Sequence, residues 1–62
     1  MTTSTRVGRF AVRFVHLDAG WRWWVFESRT GFDTEHGLRA DGYDSQHAAR
    51  RAAAKADKAV QL

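Results

Sequence analysis

The chain contains no cysteine, and none of its apolar runs approaches the roughly 20 residues that a helix needs to cross a bilayer. Without cysteine it forms no disulfide framework and no metal site built on thiolates, and this fits a reducing cytoplasm. The first residues, Met1–Thr5, lack the apolar segment of a signal peptide. We therefore expect a cytoplasmic protein with no membrane partner.

The motifs of catalysis and cofactor binding are also missing. The chain has no Gly-rich phosphate loop and no nucleophile elbow, and 62 residues offer little concave surface from which water is excluded. The carboxylates and histidines between Asp33 and His47 follow no metal-ligand spacing. We therefore expect a non-enzymatic protein with no catalytic residue, no metal, no other cofactor and no small-molecule substrate.

Positive charge is what the chain has instead. Eight Arg and two Lys outweigh seven acidic residues, for a net charge of +3 and a pI near 10.2. Such a balance permits nucleic-acid binding. The high Arg and Ala content is typical of GC-rich coding, so we expect a protein of a high-GC bacterium or its phage. At this length we predict a single domain over residues 6–62, preceded by a short disordered arm over residues 1–5.

Two neighbouring aromatic segments predict a β-hairpin. Residues 10–17 alternate strictly, and residues 21–26 are dense in tryptophan. A three-residue loop, 18–20, with its glycine in the left-handed conformation would form a bulge and place Leu17 opposite Trp21. A register shift of one residue would exchange the faces of the second strand, but both faces would stay aromatic.

The predicted register gives each face of the hairpin its own set of apolar residues. The first set supplies bulk for packing against a helix. The second set has no partner in the sequence and forms an apolar patch. The first set is Phe10, Val12, Phe14, Trp24 and Phe26; the second is Val15, Leu17, Trp21, Trp23 and Val25.

An alanine-rich helix is predicted after Ser45, which is a favourable N-cap residue, and it should end near Val60. A short third strand is plausible around residues 38–40. The fold class is therefore α+β, with an antiparallel hairpin or three-stranded sheet packed on one C-terminal helix. The predicted buried arc is Ala48, Ala49, Ala52, Ala53, Ala56, Ala59 and Val60.

The residues that begin this helix carry a resemblance. The stretch from Gly42 to Arg50 reads Gly-Tyr-Asp-Ser-Gln-His-Ala-Ala-Arg and follows the Trp-rich hairpin. It resembles the Gly-aromatic-x-Ser/Thr-x-x-x-Ala helix start of the arm-type DNA-binding domains at the N-termini of tyrosine integrases. It also resembles a family of small bacterial sheet-plus-helix proteins of unassigned function. The integrase resemblance implies a sheet that enters a DNA major groove. The base pairs would be read by Arg13, Trp21 and Trp23, with Arg9 and Arg39 beside them.

Three interpretations of the apolar patch remain open. Residues 28–43 fold over it with Phe32 or Leu38, or a protein partner or second copy covers it, or its indoles stack on nucleic acid. We predict a non-catalytic module that binds nucleic acid through the outer sheet face and flanking arginines. The alternative is protein interaction or homodimerisation through Trp21 and Trp23, as in a small phage or bacterial accessory protein. The outer helix face is either solvated or contacts phosphates through Arg50, Arg51, Lys55 and Lys58.

Overall fold

Three antiparallel strands and one C-terminal helix form the fold in the computed structural model, which describes residues 4–27, 31 and 33–60. The strands lie in the order β1-β2-β3. The predicted α+β class with a three-stranded sheet and a C-terminal helix is confirmed. The elements are β1 (Ser4–Val7), β2 (Phe10–Leu17), β3 (Gly20–Glu27), a 3-10 turn (Thr34–His36) and α1 (Gln46–Val60).

The third strand is β1, at the N-terminal end, and not the predicted segment 38–40. Leu38 is instead buried in the core, and the Arg39 amide donates a hydrogen bond to the Tyr43 hydroxyl over 3.1 Å. Ser4 and Thr5, which the prediction placed in the N-terminal arm, lie in β1. The rest of that arm, residues 1–3, lies outside the described residues. A strand of four residues is too short for its alternation to stand out in the sequence.

The β2–β3 loop is one residue shorter than predicted. Only Asp18 and Ala19 lie between the paired residues Leu17 and Gly20, and the ladder continues without a bulge. Gly20 takes the positive φ, 111°, at the first position of β3, and no other residue type among those described has a positive φ. Ala19 therefore avoids the conformation that an alanine resists. Every side chain of β3 consequently lies on the opposite face from the one predicted.

The hydrophobic core lies between one face of the sheet and α1. Phe10, Val12 and Val25 are fully buried there, and Leu38 and Tyr43 close the sides. The buried helix residues are all small: Ala49, Ala53 and Ala56. Small side chains let the helix approach closely, so the bulk comes from the strands.

The helix covers only one end of the sheet. Ser45 caps it, since its hydroxyl accepts a hydrogen bond from the Ala48 amide over 3.2 Å. At the other end of α1, a carboxylate oxygen of Asp57 accepts from the Arg9 amide in the β1–β2 turn over 3.1 Å. Gly8 leaves room for this carboxylate, since a Cβ there would overlap the carboxyl carbon of Asp57. Within the described residues, no helix is long and apolar enough to cross a membrane.

Candidate nucleic-acid interface

The alternation of the strands sorts their side chains onto two faces. The covered face packs against α1, and it contains every buried strand residue. The open face lies on the other side, and none of its residues is buried. The covered face consists of Thr5, Val7, Phe10, Val12, Phe14, His16, Trp21, Trp23, Val25 and Glu27. The open face consists of Ser4, Arg6, Ala11, Arg13, Val15, Leu17, Gly20, Arg22, Trp24 and Phe26.

The open face concentrates positive charge. All arginines of the three strands, Arg6, Arg13 and Arg22, lie on it, and no strand position of this face carries a carboxylate. The covered face has no Arg or Lys at any strand position. An anionic ligand is therefore favoured on the open side of the sheet.

Arg13 and Arg6 are the available cations of the open face. Arg13 lies in the central strand, is exposed, and holds its guanidinium carbon 5.8 Å from the centroid of the Phe26 ring. Arg6, also exposed, donates from Nε to the Gly8 carbonyl over 3.2 Å. Within the described part of the chain, neither forms an ion pair with a carboxylate. Their charge is therefore not neutralised by a carboxylate of the described residues.

Arg22 has a structural role instead. Its Nη1 lies 2.6 Å from a carboxylate oxygen of Asp44, and its Nε donates to the Asp41 carbonyl over 3.2 Å. The adjacent backbone pairs as well, because Trp23 and Tyr43 exchange amide-to-carbonyl hydrogen bonds of 2.8 and 3.0 Å. These contacts fasten the segment that precedes α1 to the edge of β3.

Arg39, which was predicted to contact DNA, lies in a loop and pairs with a carboxylate there. Its guanidinium donates to both carboxylate oxygens of Asp41 over 3.0 and 3.1 Å. This hydrogen bonding lowers the pKa of Asp41 and raises that of Arg39. Arg9, also predicted, is exposed in the β1–β2 turn, close to Arg6. Of the predicted arginines, Arg13 thus lies on the open face and Arg9 beside it.

The two predicted tryptophan readers lie on the covered face, so grouping them with Arg13 on one face was wrong. They form the aromatic cluster, which we define as Phe14, His16, Trp21 and Trp23. Phe14 stacks on Trp21 with centroids 5.3 Å apart and lies 4.9 Å from Trp23. Trp23 also packs against the core, whereas Trp21 is 62% exposed and Phe14 39%. The cluster lies beyond the start of α1, which explains its exposure.

The described residues of segment 28–43, which are 31 and 33–43, leave Trp21 largely exposed. Leu38, which we considered as a cover for the tryptophans, joins the core between sheet and helix, and Trp21 stays largely exposed. Phe32, the other candidate, lies outside the described residues. The interpretation of the patch as a second small core is therefore wrong for Trp21.

The predicted phosphate contacts of the helix occupy a separate surface. Arg50, Arg51, Lys55 and Lys58 are all exposed on α1. Because α1 packs against the covered face, its exposed side points away from the sheet. These residues therefore lie on a different surface of the domain from Arg13.

Sequence reasoning missed three residues of the open face. Arg6 was missed because β1 was not recognised. Trp24 and Phe26 were assigned to the core because the register was one residue out. The available signal was the placement of Gly20, since a glycine directly after Ala19 allows a two-residue loop without a positive φ at alanine.

The fold and this face together define a small α+β domain with an arginine-bearing open sheet. In the described ranges, no group of three or more His, Asp or Glu side chains is placed to hold a metal ion. Comparison with known proteins finds no family model, no curated protein and no solved structure that matches the chain.

Proposed function

We propose that the chain binds duplex DNA through the open face of its sheet, without catalysis. The observation that carries the proposal is the sorting of charge: the open face has every strand arginine and no strand carboxylate. Arginine is suited to this ligand because its planar guanidinium donates to phosphate oxygens and to guanine edges.

The dimensions of the sheet agree with this ligand. Strands spaced about 4.8 Å apart give three strands a width of about 10 Å between the outer backbones. The major groove of B-DNA is about 12 Å wide and admits a two-stranded β-ribbon. Arg13 lies on the central strand, where it would face the base edges. Arg6 and Arg9 lie at the β1–β2 turn, at one end of the sheet, where they would meet phosphates.

The apolar part of the open face fits the same groove. Trp24 and Phe26 are half-buried and lie next to Arg13 through the β2–β3 pairing. Apolar side chains contact the thymine methyl group, which projects into the major groove. The face therefore offers both charge for the backbone and apolar surface for base edges.

The test is fluorescence anisotropy with a fluorescein-labelled duplex of about 20 base pairs, two helical turns. We expect binding that weakens steeply from about 50 to 200 mM salt, because each phosphate contact releases counterions. The double variant Arg6→Gln/Arg13→Gln should bind about tenfold more weakly or worse, with a visibly shallower salt dependence. The matched control is Arg39→Gln, which removes one positive charge outside the open face and should bind like the wild type.

Two results would reject the proposal. One is the absence of duplex binding at low salt, and the other is an equal loss of affinity in the double variant and in Arg39→Gln. Far-UV circular dichroism of each variant establishes that its fold is intact.

A second candidate function is protein interaction through the aromatic cluster. The exposure of Trp21 and its stacking on Phe14 favour it, because exposed aromatic side chains are enriched in interfaces. Such a contact should respond little to salt. Sedimentation velocity decides whether it is homodimerisation: Trp21→Ala should shift a dimer toward monomer, whereas a wild type that sediments as a monomer at high concentration excludes self-association.

A further inference from the structure

The exposed side of α1 is a second basic surface, which we call the helix face and define as Arg50, Arg51, Lys55 and Lys58. All are exposed. The helix has a single carboxylate, Asp57, and it accepts a hydrogen bond from the Arg9 amide in the β1–β2 turn. Even with Asp57 counted, four cations against one carboxylate leave the helix with a formal net charge of +3.

The other acidic residues lie outside the helix. Glu27 ends β3 on the covered face, and the remaining carboxylates lie in the hairpin turn and in the connection between β3 and α1. Several of them are engaged there, since Asp33 contacts His36, Asp41 contacts Arg39, and Asp44 contacts Arg22. Five of the seven carboxylates thus lie in the turns and loops, and seven of the ten Arg and Lys side chains lie on the two broad faces.

The two basic surfaces point in opposite directions. The core lies between sheet and helix, so the open face and the helix face are the outer sides of the same two-layer domain. The Cα atoms span 34 × 21 × 21 Å. A DNA duplex has a persistence length of about 50 nm, so a duplex seated on one face does not bend around this small domain to reach the other.

We propose that the helix face binds a second DNA duplex, so that one chain bridges two duplexes. This inference rests on the proposed function of the open face. The helix face offers cations for a phosphate backbone but no aromatic side chains for contact with bases. Duplex DNA therefore suits this surface as well, held through its phosphates and not through its bases. Two polyanions repel each other, and a layer of cations on each side of the domain offsets that repulsion.

The experiment is a duplex-capture assay at about 50 mM salt, where phosphate contacts are strong. A biotinylated duplex is held on beads, the chain is added, and retention of a second, fluorescein-labelled duplex is measured. Wild type should retain the labelled duplex. The triple variant Arg50→Gln/Arg51→Gln/Lys55→Gln should lose at least about tenfold of this retention while keeping its anisotropy-measured affinity for a single duplex within about threefold. Glutamine is a good helix former, so the helix should persist.

The controls separate this inference from the function on which it rests. Arg6→Gln/Arg13→Gln should bind a single duplex about tenfold more weakly or worse, through the helix face alone, and should lose capture, whereas Arg39→Gln should keep both. If wild type binds one duplex but captures no second one, the bridging proposal fails alone. If the triple variant captures as well as wild type, bridging occurs through dimers joined elsewhere, and the helix face is not the second site. If wild type binds no duplex at all, both proposals fail.

Discussion

The covered and open faces of the sheet are built from the same strands, yet they differ in almost every physical property. On the covered face Phe10, Val12 and Val25 are fully buried against alanines, and no strand cation is present. On the open face no residue is buried, and Arg6 and Arg13 stand exposed beside half-buried Trp24 and Phe26. In a strand, successive side chains point to opposite faces. Alternate residues therefore supply the apolar burial on one face and the positive charge on the other.

The two faces of this small sheet therefore have different roles. The covered face supplies the apolar burial that a domain of this size needs, at about 1.5 to 3 kcal/mol for each large side chain. The open face contributes less to folding and is therefore free to carry charge. A single-residue error in register moves an aromatic side chain from one task to the other.

The largest expected effect comes from comparing one phenylalanine on each face. Phe10→Ala should lower the free energy of unfolding by about 3 to 5 kcal/mol, because it leaves a cavity in the core. Phe26→Ala should lower it by only about 1 to 2 kcal/mol, because Phe26 is half-buried on the open face. Urea denaturation followed by circular dichroism measures both. Equal losses would contradict the assignment of the two faces.

A smaller effect compares the two ends of the covered face. Trp23→Ala should lower the free energy of unfolding by about 2 to 4 kcal/mol, since Trp23 packs against the core. Trp21→Ala should cost about 1 kcal/mol, mostly the lost stacking on Phe14. The same urea experiment applies. If Trp21→Ala lowers the free energy of unfolding more than Trp23→Ala does, Trp21 is covered in solution by a further contact. The two ends of the covered face then do not differ as described.

The smallest effect concerns an arginine that has a carboxylate partner, in contrast to Arg13. The pKa of Asp41 is lowered chiefly by the hydrogen bond from Arg39. The folded pKa thus lies below the unfolded one, so this pair stabilises the fold above the unfolded pKa and stops doing so as pH falls through the folded pKa. Carboxyl NMR titration should show the pKa of Asp41 rising in Arg39→Gln. Because the pair is exposed, Tm should hardly change. An unchanged pKa would show that the pair does not form in solution.

The helix was the most predictable element, because its signals are local. Ser45 caps it as expected, and alanines at helical spacing form its buried side. The sheet was less predictable because two short-range ambiguities controlled it. The loop could contain two or three residues, and β1 was too short to show a pattern. Both errors affected the candidate site. The register error assigned Trp21, Trp23, Trp24 and Phe26 to the wrong faces, and the missed strand left Arg6 out of the site.

The sequence by itself determined the α+β class, the hairpin, the capped helix with its alanine side and the basic charge, because each depends on neighbouring residues and their periodicity. It also determined that both faces of the hairpin would be aromatic in either register. Only the tertiary structure decided which aromatic residues accompany the arginines. That choice depends on the positive φ of Gly20 and on the docking of α1, whose Asp57 lies against Gly8 and Arg9. Such contacts join residues far apart in the chain, and no local pattern encodes them.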